Sequence, residues 1–428
     1  MKKDRNAIPN SLRELLAVVW TIVKSGPLAR MTAAKVCGRP AAKFLILSSA
    51  FIAWPVLAQT YSVLHTFSGA DGANPSAGVT RDSSGNLYGI TNYGGAFGAG
   101  AVFKLDASGD ERVLHSFTGG TDGGLPQNNN LILDRRGNIY GMTTGGGSAD
   151  CPSGCGVVFE LHAGAEAREV ETILHSFTGA ADGYFPFAGL IRDEVGNFYG
   201  SAEFGGSGAG VIFRLSNGGV FDVLHSFSGG SDGGCPDGSL LMDRMGELFG
   251  VATCGGSFPG AGAIFKMTPD GTVTVLHNFT GGNDGSIPIG PLVRDVQGNL
   301  FGVTQSGGSS GQGVVFKLDP SGTERVLYTF SGGADGASPA AGLTLGASGD
   351  LYGTTLFGGS FGLGVVFKVS ADGTEAVLHT FTGGADGANP FGAVLVRDSQ
   401  GNLYGTAYGG GNVACTCGVV FKVTPRSQ

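Results

Sequence analysis

One unit of about 50 residues is written seven times in this chain of 428 residues. Its most regular phrase is VLHxF, which ends on a phenylalanine in every copy. These phenylalanines are Phe67, Phe117, Phe177, Phe227, Phe279, Phe330 and Phe381. Self-similarity at such a period is typical of propellers and solenoids, so the repeat constrains the fold more than any other feature.

Three further phrases recur in register with VLHxF. GNLYG carries its aromatic residue at Tyr88, Tyr140, Tyr199, Phe249, Phe301, Tyr352 and Tyr404. A glycine pair begins at Gly94, Gly145, Gly205, Gly255, Gly307, Gly358 and Gly409. GVVFK has its phenylalanine at Phe103, Phe159, Phe213, Phe265, Phe316, Phe367 and Phe421. Four phrases in register make seven copies the consistent count.

Each copy reads as four short β-strands. In the sixth unit they are AGLTL, DLYGTT, GVVFKV and AVLHTF, apolar runs bounded by Gly, Asp, Asn, Pro or Ser. None of these runs is long enough for a helix. Four antiparallel strands repeated seven times predict an all-β fold, a seven-bladed β-propeller of four-stranded blades.

The order of strands at the two ends predicts how the ring closes. The repeats open at Tyr61 with a lone fourth-type strand and close at Gly418–Val423 with a third-type strand. If the N-terminal strand completes the C-terminal blade, no edge strand stays unpaired. The same topology puts the Gly-rich loops on one face of the propeller and the tight DxxGN turns on the other.

Residues 1–58 precede the repeats and read as a leader with a secretory signal, and residues 59–428 as a single propeller domain. KFLILSSAFIAWPVLA, residues 43–58, has a basic flank, an apolar run and a small-residue ending. We expect cleavage after Ala58, with Met31 as an alternative start, so that residues 1–30 are a mis-start. A retained membrane anchor is the other interpretation, although the apolar run is shorter than the roughly 20 residues of a span. No Cys follows Ala58, which argues against lipid attachment of the bacterial lipoprotein kind, and no twin Arg precedes the apolar run, which favours the general export route.

Without the leader the chain is strongly acidic. Lys and Arg fall from 26 to 17 and Asp and Glu from 34 to 32, which leaves a net charge of −15. A nucleic-acid partner needs a basic surface, so none is expected.

The six remaining cysteines predict three local disulfides, Cys151–Cys155, Cys235–Cys254 and Cys415–Cys417, as suits an exported chain. Zinc is the alternative, but the spacings CxxxC and CxC have no nearby histidine ligands. We expect no metal and no cofactor.

Residues present in every copy are explained by blade geometry. Six histidines occupy one position of VLHxF, and the sixth copy has Tyr328 there, which indicates a hydrogen-bonding ring and not a proton carrier. One Asp per copy, such as Asp71, lies in a DG loop; calcium is imaginable there, but capping of turn amides is the simpler interpretation.

A single ligand would need residues that break the repeat. The candidate ligand-binding residues are Tyr93, Phe97, Asn128, Asn129, Asn130, Phe204, Asp237, Phe258, Phe357, Phe361 and Tyr408, beside the segment 184–187. Exposed aromatic residues stack on sugars or anchor a protein partner, although they also fold back on a neighbouring blade. No nucleotide-binding loop, HExxH, GxSxG or clear carboxylate pair is found.

The pattern GNLYGxTxxGG followed by GVVFKLxxxGxExVLHSFTGGxDGAxP resembles the GloVer repeat of exported bacterial proteins with a choice of anchor. The resemblance covers residues 61–425. It implies tandem propeller-like units in a surface or extracellular setting, and it brings no catalytic residues. Such proteins often end in an anchoring segment, whereas this chain stops just after its last strand, so release or periplasmic residence is expected.

These observations predict an exported, monomeric, non-enzymatic scaffold that binds a glycan or protein through its Gly-rich face. A polysaccharide lyase or hydrolase with a site near Asn128–Asn130 and Asp237 is one alternative. A purely structural surface protein is the other. No membrane span is expected in the mature chain.

Overall fold

The computed structural model describes residues 59–128, 130–162, 170–258 and 260–425, which fall within one compact unit, Val56–Gln428. The expected leader, its cleavage site and Asn129 lie outside the described residues. Every regular element described is a β-strand. Within the described part of the chain, no helix has the length and apolar character to cross a membrane.

The described strands form seven antiparallel sheets, as the repeat predicts. Blades 1 to 3 contain β2 (Thr80–Arg81), β3 (Leu87–Thr91), β4 (Ala101–Leu105) and β5 (Glu111–Ser116); β6 (Ile132–Leu133), β7 (Ile139–Thr143), β8 (Val157–His162) and β9 (Val170–Ser176); β10 (Ile191–Arg192), β11 (Phe198–Ala202), β12 (Val211–Leu215) and β13 (Phe221–Ser226). Blades 4 and 5 contain β14 (Gly234–Pro236), β15 (Leu241–Met242), β16 (Leu248–Cys254), β17 (Ala263–Met267) and β18 (Val273–Asn278); β19 (Ser286–Arg294), β20 (Leu300–Ser306), β21 (Val314–Leu318) and β22 (Glu324–Thr329). Blades 6 and 7 contain β23 (Ala337–Pro339), β24 (Thr344–Leu345), β25 (Leu351–Phe357), β26 (Val365–Val369) and β27 (Glu375–Thr380); β28 (Val396–Arg397), β29 (Leu403–Ala407), β30 (Val419–Thr424) and β1 (Thr60–Thr66).

The first strand of most blades is shorter than its apolar run suggests. In blade 1 only Thr80 and Arg81 pair with β3, through Tyr88 and Leu87. The residues before this strand leave the ladder because they pack against neighbouring blades: Gly78 lies against the backbone of Val394. The first strands of these blades are therefore short.

The repeated phenylalanines join each blade to the next. The ring of Phe117, at the end of blade 1, packs edge-on against Phe159 of blade 2 with centroids 5.3 Å apart. The same contact recurs at every junction, with centroids 5.1 to 5.5 Å apart. All fourteen rings are fully buried. Burial of such a ring stabilises by about 1.5–3 kcal/mol, which explains why both phrases recur in each copy.

The glycine of GNLYG is required by the same packing. A Cβ added at Gly353 would lie 2.6 Å from Cζ of Phe367, which is fully buried. Real Cβ atoms do not approach a carbon so closely. The phenylalanine ring thus takes the space that a side chain at Gly353 would need.

The tight turns use their aspartates as expected. Oδ1 of Asp82 accepts hydrogen bonds from the amides of Ser84 and Asn86, each at 2.9 Å. Gly85 has a φ of 92°, a left-handed conformation that favours glycine. Sequence chemistry alone therefore accounts for these turns.

The first strand lies in the sheet of the last blade. β1 pairs antiparallel with β30, in a register that runs from Thr60 opposite Thr424 to Thr66 opposite Val419. Blade 7 also contacts blade 1, since Oγ1 of Thr406 donates to the carbonyl of Ala77 at 2.6 Å. That β1 holds the ring shut in solution stays a prediction.

Each blade-connecting segment is tied to the previous blade through one residue with positive φ. Leu125 is an example, with a φ of 52° and an amide that donates to the carbonyl of Ala99 at 2.8 Å. The equivalent residues, each directly before a proline, are Asn74, Phe185, Cys235, Ile287, Ser338 and Asn389. Non-glycine residues rarely adopt this conformation, so the inter-blade hydrogen bond imposes it.

Candidate binding site at the central funnel

Seven short segments, one from each blade, surround the propeller axis. The amide of Asn128 donates to the carbonyl of Ser76 at 3.0 Å, and the amide of Gly392 donates to Ala340 at 3.3 Å. The amide of Gly189 donates to Oγ of Ser239 at 2.8 Å. The remaining neighbours touch through backbone, as Gly238 does at Gly290 and Gly290 at Gly342. The segments therefore meet as a closed inner ring.

Two sets of residues, each with one member per repeat, define the region that we call the central funnel. The post-proline set is Ser76, Gln127, Phe187, Asp237, Ile289, Ala340 and Phe391. The strand-end set, the sixth residue of each LYGxTx phrase, is Asn92, Thr144, Glu203, Thr253, Gln305, Leu356 and Tyr408. A cavity of about 250 Å³ is lined by three members of each set, Ser76, Gln127, Phe391, Asn92, Leu356 and Tyr408. Neither set keeps one residue type through the seven blades, so this region has no sevenfold symmetry.

Asp237 is the most perturbed carboxyl group of the funnel. Its Oδ1 is buried without a hydrogen-bond partner among the described residues, and its carboxyl group interacts with the Asn128 amide. Burial, followed by the charge of Glu203, raises the pKa of Asp237 well above its usual range. Burial also raises the pKa of Glu203. Two carboxyl groups with raised pKa values thus interact in this region.

The sequence analysis missed this carboxyl pair. Glu203 directly follows a strand of blade 3, whereas Asp237 follows a proline in blade 4. The available signal was that Glu203 is the sole acidic member of its set of seven.

Two other buried oxygens around the propeller axis lack a partner within the described structure. They are Oδ1 of Asn92 and Oδ1 of Asn130. Asn92 is 4% exposed and lines the cavity beside Tyr408. An unpaired buried acceptor costs about 1–3 kcal/mol, so a donor that reaches these oxygens would be bound favourably.

Six half-buried aromatic residues form an arc from blade 3 to blade 7. Tyr184, Phe204 and Phe185 pack together with centroids 5.3 and 6.1 Å apart. Phe185 stacks on Phe187 at 5.7 Å. Phe187 meets Phe391 at 6.4 Å, and Phe391 meets Tyr408 at 6.5 Å. We call these residues the aromatic arc; it brings together the predicted Phe204, Tyr408 and segment 184–187.

The other predicted aromatic residues lie elsewhere. Phe97, Phe258 and Phe361 occupy the tips of Gly-rich loops and are 64%, 46% and 61% exposed. They belong to blades 1, 4 and 6, no two of which are neighbours, so the structure does not bring them together. Tyr93 and Phe357 are exposed at the ends of second strands, outside the aromatic arc.

The repeated histidines and DG-loop aspartates form structural pairs. Nε2 of His175 lies 3.2 Å from Oδ2 of Asp182, and the same oxygen accepts from the amide of Thr178 at 3.0 Å. In blade 5 the hydroxyl of Tyr328 donates to Asp335 at 2.9 Å. A tyrosine replaces histidine without loss of the contact, which fits a structural role.

Cysteine residues pair as the sequence predicts. Disulfides join Cys151 to Cys155, Cys235 to Cys254 and Cys415 to Cys417. All three lie on the Gly-rich face. The loops of this face contact one another, as where Ala73 bridges to Tyr93 and Ala388 to Gly409.

Two larger clefts, of about 790 Å³ each, lie between neighbouring blades near the tight turns. One contains Asp350, Lys368 and Arg397, and Nζ of Lys368 pairs with Asp350 at 2.9 Å. Their polar groups are thus partly paired already, and the funnel is the better candidate despite its smaller volume.

A model of the Gloeobacter/Verrucomicrobia repeat matches residues 53–258, 130–348 and 239–428. No curated protein matches the chain. Among solved structures, one provisionally assigned as a gluconolactonase is 12% identical over 86% of this chain and 92% of its own, with a TM-score of 0.41. An oxidoreductase of the glucose dehydrogenase type from Thermus thermophilus, also a provisional assignment, is 15% identical over 86% of this chain and 100% of its own, with a TM-score of 0.42. Likenesses this loose assign no activity to the chain.

Proposed function

Because the chain belongs to the Gloeobacter/Verrucomicrobia repeat family, we propose that it is an exported propeller that binds a hydroxyl-rich ligand, such as an oligosaccharide, in its central funnel. Three disulfides within the described residues support an oxidising compartment. The family match itself names no ligand.

One observation carries the proposal: three buried acceptor oxygens around the propeller axis, on Asn92, Asn130 and Asp237, have no partner among the described residues, and Asn92 lines a cavity with Phe391 and Tyr408 of the aromatic arc. Sugar hydroxyls would donate to these oxygens, and sugar C–H faces pack on aromatic rings. An acidic ligand is disfavoured because the funnel already holds two carboxyl groups. The net charge of −15 without the leader acts in the same direction.

The test is a glycan array with residues 59–428, followed by calorimetric titration of the strongest hit. Phe391→Ala removes the centre of the aromatic arc and should weaken binding by about tenfold. Phe361→Ala is the matched control, since this ring lies at an exposed loop tip. Equal loss in both variants, or no loss in Phe391→Ala, would contradict a funnel site.

A second candidate is a lyase or hydrolase of the same ligand, favoured by the Glu203 and Asp237 pair. Glycoside cleavage uses two carboxyl groups, one of them held protonated by a raised pKa. If the funnel is catalytic, Asp237→Asn should abolish release of reducing ends while the glycan still binds. Binding without turnover in the unaltered protein would leave the scaffold function alone.

A further inference from the structure

Each junction between blades has a position, on the last strand, that faces the His and Asp pair of the preceding blade. We call it the rim position; it lies six residues before the phenylalanine of VLHxF. Its occupants are Tyr61, Glu111, Glu171, Phe221, Val273, Glu324 and Glu375. Because the histidine and the aspartate recur, the residue at the rim position determines how each junction packs and what it can bind.

Aromatic occupants produce a closed, packed junction. Phe221 stacks on His175 with centroids 3.7 Å apart, and Tyr61 stacks on His379 at 3.6 Å. In both junctions the histidine stays within hydrogen-bond distance of its aspartate, at 3.2 and 3.1 Å. These junctions show the structural form of the motif.

The junction between blades 1 and 2 differs. Nε2 of His115 lies 3.7 Å from Oδ2 of Asp122 and 3.6 Å from Oε2 of Glu171, beyond hydrogen-bond distance from both. The three atoms lie within 4.8 Å of one another. Nε2 of His115 and Oε1 of Glu171 are buried and have no hydrogen-bond partner among the described residues. Three ligating groups therefore converge without bonding to each other.

We propose that His115, Asp122 and Glu171 bind a divalent cation of the zinc type. One imidazole nitrogen and two carboxylate oxygens suit Zn²⁺, with solvent or substrate as a fourth ligand. Tetrahedral ligands at 2.0–2.1 Å lie about 3.3 Å apart, so the separations of 3.6 and 3.7 Å need to close by only a few tenths of an ångström. The two carboxylates would also be relieved of their mutual repulsion.

The surrounding residues orient the ligands. Asp122 accepts a hydrogen bond from the Thr118 amide at 2.8 Å and another from the Thr118 hydroxyl. The His115 ring packs edge-on against Phe117 at 4.7 Å. Such outer contacts fix ligand geometry in metal sites. The site departs from the sequence-based expectation of no metal because Glu171 comes from the following blade.

Related junctions are less suited to a cation. His65, Asp71 and Glu111 also converge, but Nε2 of His65 is already 3.0 Å from Oδ2 of Asp71. At Glu375 the preceding blade offers Tyr328 in place of an imidazole. The chain thus contains its own comparison sites.

The experiment uses residues 59–428, stripped of metal with a chelator and titrated calorimetrically with ZnCl₂. Unaltered protein should bind one equivalent most tightly, and Glu171→Gln should weaken this event at least about tenfold. Glu375→Gln, at the junction without imidazole, should leave the binding unchanged. Absence of zinc binding, or equal effects of the two variants, would overturn the proposal.

A second pair of variants guards against loss of folding. His115→Tyr copies the residue of blade 5, and Glu171→Phe copies the junction between blades 2 and 3, so both changes are tolerated elsewhere in the ring. Each should keep the circular dichroism spectrum and melting temperature of the metal-free protein while losing the tight zinc event. Folded variants that bind zinc as tightly as the unaltered protein would refute the site.

Discussion

Replacing Glu375 with Gln should stabilise the propeller at pH 8 and leave it almost unchanged at pH 4.5. Oε1 of Glu375 is buried without a partner within the described residues. Burial, followed by the charge of Asp335, raises the pKa of Glu375 from 4.5 to about 7. The folded protein therefore binds this proton more tightly than the unfolded chain does.

The sign and size of the stability change follow from the difference between the pKa of Glu375 in the folded protein and in the unfolded chain. Below pH 4.5 the carboxyl group is protonated in both states and costs nothing; above pH 7 it is charged in both, and the folded state carries the full penalty. A rise from 4.5 to about 7 corresponds to at most about 3.4 kcal/mol. Glu375 is half-buried, so solvent screening reduces the expected gain to about 1 kcal/mol.

The assay is denaturant unfolding of residues 59–428 at pH 4.5 and 8, for the unaltered protein and Glu375→Gln. Glu194→Gln, an exposed turn residue, is the control and should shift neither midpoint. A gain of equal size at both pH values, or none at pH 8, would refute the link between burial and the raised pKa.

Three further changes test the fold. Deletion of residues 59–67 removes β1 and the buried Phe67. The deletion should lower the free energy of unfolding by more than the about 3–5 kcal/mol expected for Phe67→Ala alone. Equal unfolding midpoints for the deleted and the intact protein would show that β1 does not hold the ring shut. Gly353→Ala should lower the free energy of unfolding by about 1–3 kcal/mol because the added Cβ meets the Phe367 ring. Gly218→Ala is the control and should not lower it, because the nearest atom to its added Cβ is 3.8 Å away. Equal melting temperatures of the two variants would contradict a clash with Phe367 as the cause. Replacing Cys235 and Cys254 with Ser should lower the free energy of unfolding by about 3 kcal/mol, because their bridge closes a loop of 19 residues. The same change at Cys151 and Cys155, four residues apart, should lower it less in denaturant unfolding. The reverse order would argue against loop length as the cause.

The blades could be predicted because each strand and turn is specified by residues that are close together in the sequence. Asp82 caps its own turn and GVVFK is a strand by composition, so each phrase specifies its element without reference to distant residues. Repetition then supplied the number of blades. The shortness of the first strands could not be predicted, because contacts such as Gly78 with Val394 join residues far apart in the chain.

The candidate site was predicted only in part for the same reason. Departure from the repeat drew attention to Asn128 in the inner ring and to Asp237 and Tyr408 of the funnel; that these residues bind a ligand stays a prediction. The partner of Asp237 was missed, since Glu203 comes from another blade and only the folded ring brings the two carboxyl groups together. Exposed aromatic residues such as Phe97 were given equal weight because a linear pattern does not tell which loops are neighbours.

The edge-on phenylalanine pairs have a consequence for where the polypeptide can begin and end. Every junction uses the same pair of phenylalanine rings, and the seam between the seventh and first blades is no exception. A circularly permuted gene, opened at any of the tight turns and with the present termini joined, would encode the same set of ring contacts. The ring contacts alone therefore set no preferred starting point for the chain.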